Sequence, residues 1–69
     1  STRERMAKVL DQLHGGEGFE PFIAFFAASE GRAGVVVTFL AIMELIKESL
    51  IEIVQTEPFS PIHIRAKTA

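Results

Sequence analysis

Two histidines, four serines, a glycine-rich loop and a row of glutamates are the groups in this 69-residue chain that could carry out chemistry. His14 and His63 fall in different elements, and with no cysteine in the chain the usual zinc frameworks have no thiolates to draw on. His14 is expected at the end of a first helix and His63 on a strand surface. Ser29, Ser49 and Ser60 lie where turns are expected, and serine is favoured there for hydrogen bonding to its own backbone. Gly15-Gly16-Glu17-Gly18 follows a helix and contains an acid, whereas a phosphate cradle follows a strand and opens a helix. Glu44, Glu48 and Glu52 recur every four residues and read as a solvated face. Glu44 and Lys47 can pair weakly, by roughly a few tenths of a kcal/mol. No nucleophile, base and orienting group come together, so an enzyme is not expected, and neither a cofactor nor a bound metal.

The six phenylalanines carry more information. Phe19, Phe22, Phe25, Phe26 and Phe39 read most simply as core. Phe59 sits between Pro58 and Ser60 in a tight loop and has two readings, a cap on the core or an anchor for a partner.

Positioning these groups takes few elements. Ser1 and Glu4 fit a capping box, and Met6, Val9, Leu10 and Leu13 form one helical face, so a helix is expected over residues 1–13. Arg5, Lys8, Asp11 and Gln12 should face water. Residues 14–20 read as a connection, in which Phe19 either pairs as a very short strand or plugs the core. Pro21 suits a first helical position, and a short helix over 21–28 follows, apolar almost all round at Phe22, Ile23, Phe25 and Phe26. A third helix spans 32–48. A β-branched strand and its return make a two-stranded wing over 50–65, turning at Glu57-Pro58-Phe59-Ser60. Ile51 and Ile53 share one face of the first strand, and Ile62 and Ile64 share one face of the second. The fold class is α+β: a small winged-helix domain of three helices followed by a two-stranded β wing, one domain over 1–69.

The third helix is the informative one. Thr38, Glu44, Lys47 and Glu48 supply a polar side. Val35, Val36, Phe39, Leu40, Ile42, Met43, Leu45 and Ile46 spread over more than half of the circumference. One core face needs a stripe a little over about 100° wide. The surplus apolar arc must meet something besides its own core.

Charge limits what that is. The net charge is −2, and the seven basic residues are scattered. Nucleic-acid affinity rests on clustered Lys and Arg against phosphates, so duplex binding is disfavoured. The longest uncharged run, eleven residues between Arg32 and Glu44, is short of the roughly 20 that a spanning helix needs. No membrane role is expected. The chain opens on Ser1 rather than Met, and a tail fragment of a longer chain is expected.

The run VTFLAIMELI from Val37 to Ile46, then IEIVQTEPF from Ile51 to Phe59, then Ile62, resembles the C-terminal domain of kleisins. The nearest likeness is to the bacterial segregation and condensation protein A (ScpA) group. Pro61 departs from the pattern, which usually shows a polar or acidic residue there. The resemblance implies a winged helix that docks on the cap side of an SMC ATPase head and helps close the SMC–kleisin ring in chromosome condensation and segregation. It implies no ATPase activity in this chain. ScpB would bind a region of the longer chain absent here. The domain would be cytoplasmic and nucleoid-associated, and monomeric in isolation. Phe39 and Met43, with Val36 and Leu40 flanking them, fall where the family presents apolar groups to the head, and Phe59 and Ile62 on the wing are further candidates. The alternative is a winged-helix nucleic-acid-binding domain. Self-association through the same patch is a third reading.

Overall fold

Ser1 starts the first helix. Its hydroxyl accepts the Glu4 backbone N–H at 3.3 Å, and the Ser1 nitrogen donates to the Glu4 carboxylate at 3.1 Å. In the computed structural model, which describes residues 1–67, helix α1 spans Thr2–Gly15. Val9 and Leu13 are buried, and Met6 and Leu10 pack half-buried beside them. The helix ends where the N–H groups of Gly16 and Gly18 both reach the Leu13 carbonyl, at 3.2 and 3.0 Å. Gly18 has φ 77°, which a side chain would disfavour.

The segment expected as a connection contains a strand. β1 (Phe19–Pro21) pairs antiparallel with β3 (His63–Ala66), and β2 (Ile51–Val54) pairs with the other side of β3. The sheet order is β1-β3-β2, so the expected two-stranded wing is corrected to a three-stranded antiparallel sheet. Ala66 N–H donates to Gly18 O and Phe22 N–H to Ile62 O, each at 2.8 Å, prolonging the β1–β3 ladder at both ends. Pro61, with no N–H to give, stays outside it.

The expected second helix over 21–28 is also corrected. The chain makes two 3-10 turns, Phe22–Phe25 and Ala28–Glu30, joined through extended residues at Phe26 and Ala27. Two forces account for this. The Phe22 N–H is committed to the sheet, and extended residues cover about twice the distance of helical ones on the way to the next helix. Among the described residues there are therefore two α-helices, not three.

Helix α2 spans Gly31–Lys47, within a residue of expectation at each end. Gly31 enters it at φ 70°, ψ −165°, a conformation reserved for glycine. At the far end Ser49 N–H donates to Ile46 O and Leu50 N–H to Leu45 O, both at 3.0 Å, with Ser49 at φ 63°. That is a Schellman cap with serine in the position glycine usually takes. Between helices and sheet lies a core of Val9, Leu13, Phe25, Ile42, Leu45, Ile51 and Ile64. Full burial of such a side chain stabilises by roughly 1.5–3 kcal/mol each.

Candidate functional site

At 100° per residue, Gly34, Thr38, Ala41, Ile42 and Leu45 fall on one side of α2, and all five are buried. The opposite side carries Val35, Val36, Phe39, Leu40 and Met43. Each of these is about half exposed, from 47% at Val35 to 51% at Val36 and Leu40. The same helix thus presents one apolar face to its own core and a second to solvent. A row of five large apolar groups on one helix is an exposed patch of the kind that marks an interaction surface. The charged groups on or beside it are Arg32 at the start of the helix, Glu44 one turn beyond Leu40, and Lys47 at the end of the helix.

Four expected site residues, Val36, Phe39, Leu40 and Met43, lie together on this surface. Phe39 is not core, contrary to the simplest reading of the phenylalanines. Thr38 is also corrected: expected on the polar side, it is fully buried. Its hydroxyl accepts a hydrogen bond from Arg5 Nη1 at 3.2 Å, which lets a polar group sit against α1. Arg5, expected to face water, instead places its guanidinium on Glu30, with Nη1 to Oε1 at 2.8 Å and Nη2 to Oε2 at 2.7 Å. The hydrogen bond from Arg5 holds the Glu30 carboxyl below its ordinary pKa.

The other two expected residues lie on the β2–β3 hairpin. Ile62 is 39% exposed and Phe59 wholly so. Side chains alternate along a strand, so Ile53 projects from the sheet face that holds buried Ile51 and Ile64. Ile53 is nonetheless half exposed, whereas Ile51 is buried. Sequence reasoning did not single out Val35, Ile53 or Ile23 as surface groups. Val35 could have been found, since it lies one helical turn before Phe39 on the same face. Ile23, at 77% exposure, carried no such signal.

The opposite sheet face carries Phe19, Pro21 and Val54 beside Glu52, His63 and Arg65. Arg65 Nη2 binds Glu52 Oε2 at 2.9 Å across the strands, so Glu52 belongs to a cross-strand pair rather than to a row of acids with Glu44 and Glu48. His63 stacks on Phe19, with ring centroids 4.6 Å apart and planes 7° from parallel. Phe19 thus reaches the surface instead of plugging the core. An open cleft of about 320 Å³ between α1 and the 3-10 turns is lined by Arg5, Lys8, Gln12, Phe26 and Glu30 among others. Its Arg5 and Glu30 are paired with each other. Among the described residues no group of three or more His, Asp or Glu could hold a metal ion, and no helix is long and apolar enough to cross a membrane.

Residues 1–67 match a family model described as segregation and condensation protein ScpA. Segregation and condensation protein A of Xylella fastidiosa is 53% identical over 66 residues, which cover 96% of this chain and 22% of that protein. The Coxiella burnetii protein of the same name is 55% identical over 67 residues, 97% of this chain and 25% of that one. The Myxococcus xanthus protein is 43% identical over 63 residues, 86% of this chain and 21% of that one. The chain therefore spans about a quarter of the length of the curated relatives it matches.

Proposed function

This chain belongs to the segregation and condensation protein A family, and on that premise we propose that it is a protein-docking module that seats on the ATPase head of an SMC protein. In that role it corresponds to the C-terminal winged-helix domain of a kleisin. α2 is the helix that carries the interface, and the β2–β3 hairpin is the wing. The longer protein would close the SMC ring in chromosome segregation and condensation, recruit ScpB through segments outside this chain, and work in the cytoplasm at the nucleoid.

One observation carries the reading: α2 has core on one side and five apolar side chains in solvent on the other. Water-exposed Val, Phe, Leu and Met gain from burial against a complementary apolar surface, and interfaces of this kind rest on a few such anchors. Phe39 and Met43, four residues apart and side by side, are the proposed centre of the contact, with Val36 and Leu40 around them. A base-reading helix would instead carry Arg, Lys, Asn or Gln toward the groove. The exposed face of α2 has a single Arg and a single Lys, one at each end, so the nucleic-acid reading is not favoured.

The test is charge insertion at the centre of the face. Phe39→Arg and Met43→Arg are expected to keep native stability and to lose binding to a purified SMC ATPase head. Native affinity in both variants would show that the docking face lies elsewhere.

A further inference from the structure

At the far end of the β2–β3 hairpin, Phe59 is 102% exposed, more than any other large apolar residue. Its backbone sits at φ 68°, in the left-handed region that non-glycine residues avoid. Ser60 N–H donates to Glu57 O at 3.1 Å and closes a turn with Pro58 second and Phe59 third. A turn of that kind, with positive φ at its third residue, is ordinarily built with glycine there. The tip is also tightly held. Ser60 Oγ donates to Glu57 O at 2.7 Å and accepts Glu57 N–H at 3.2 Å, and the Gln55 side-chain amide donates to Ser60 O at 2.9 Å. The fold therefore keeps a large aromatic ring in a disfavoured backbone conformation, with no internal contact to reward it. Strain held in this way clusters at functional sites.

We propose that Phe59 is a preformed aromatic anchor that seats in an apolar pocket with a cationic rim, on the same protein surface that the α2 face meets. The pocket's chemistry follows from the tip. From Ile53 to Ile62 the only charged side chain is Glu57, which stands two residues from the ring. An apolar knob beside one anion is complemented by an apolar hole beside one cation. Exposed Ile53 and Ile62 run between the tip and the core-facing part of the sheet, so apolar surface continues along the hairpin. Because the turn is already formed, binding would not have to order it, which favours affinity. This inference rests on the docking reading and adds a second anchor and a partner pocket to it.

Phe59→Gly separates the anchor from the fold. Glycine suits φ 68°, so the variant is expected to melt no lower than the parent chain. Against a purified SMC ATPase head its dissociation constant should rise at least about tenfold, as for loss of a buried aromatic anchor. Glu57→Gln should weaken binding less and flatten its dependence on salt. Unchanged affinity in Phe59→Gly would overturn the anchor while leaving docking through α2 intact. Unchanged affinity and salt dependence in Glu57→Gln would overturn the cationic rim. A parent chain that does not bind the head at all would overturn both the anchor and the docking reading.

Discussion

Arg5 grips Glu30 with both terminal nitrogens, at 2.8 and 2.7 Å, and so ties the first turns of α1 to the residue that precedes α2. The same guanidinium supplies the hydrogen bond that satisfies buried Thr38. One cation therefore settles two groups where the helices meet. It also explains why α2 begins without a side-chain cap, because the Glu30 carboxylate is turned toward α1.

Acid should loosen this junction. The hydrogen bond from Arg5 depresses the Glu30 pKa in the folded chain. A depressed carboxyl contributes stability above its unfolded pKa, near about 4.3, and loses it as pH falls through the lower folded value. Thermal melts between about pH 6 and 3 should show this loss, and Glu30→Gln should show less of it. Glu4, held low by its hydrogen bond from the Ser1 nitrogen, will keep part of the slope. An identical acid slope in Glu30→Gln would mean that the pair contributes nothing to folding.

Two glycines should respond oppositely to alanine. A methyl group on Gly34 would collide with Glu30 Cβ, so Gly34→Ala must push Glu30 off Arg5. Overpacking of this kind costs about 1–3 kcal/mol. Gly15, in the last turn of α1, has open space where a Cβ would sit. Gly15→Ala should be neutral or stabilising, by up to about 1 kcal/mol. Urea denaturation of the pair checks both signs.

Ser49 holds the glycine position of the Schellman cap at φ 63°. Ser49→Gly removes a left-handed penalty of about 1–2 kcal/mol and adds about 0.4–1 kcal/mol of unfolded-state entropy. The net expectation is a gain of about 0.5–1 kcal/mol, read as a higher melting temperature. A lower melting temperature would mean that the serine hydroxyl stabilises the cap.

Truncation should divide α2 along its length. Ile42→Ala and Leu45→Ala remove fully buried side chains and should cost about 2–5 kcal/mol each. Leu40→Ala and Met43→Ala act on the exposed face and should stay within about 1 kcal/mol. Equal losses on the two faces would contradict the two-sided description of the helix.

That two-sidedness was legible before the structure, because a core needs only one stripe and α2 has two. The capping box at Ser1 and Glu4, both strands of the hairpin and the ends of α2 were legible for the same reason: each rests on near neighbours in sequence. What was not legible depends on distant partners. Thr38 is polar and was assigned to the polar side, and only the approach of Arg5 from 33 residues away makes its burial tolerable. The aromatic run after Pro21 reads as a helix locally, but the bond from Phe22 to Ile62 draws it into the sheet. Phe19 could pair or plug, and its place was decided by β3, more than 40 residues later. The candidate site followed the same division. That Phe39 and Met43 share a face followed from their helical spacing, and their candidate role from the family resemblance, whereas the half-exposed Ile53 carried no local signal.

The most direct test of the account is a titration of this chain against a purified SMC ATPase head, with duplex DNA as the parallel ligand and Phe39→Arg as the control. Saturable binding to the head, absent in Phe39→Arg and without matching affinity for DNA, is the predicted result. Salt-sensitive binding to DNA with no binding to the head would contradict the account and move the functional surface from the apolar face of α2 to the basic residues.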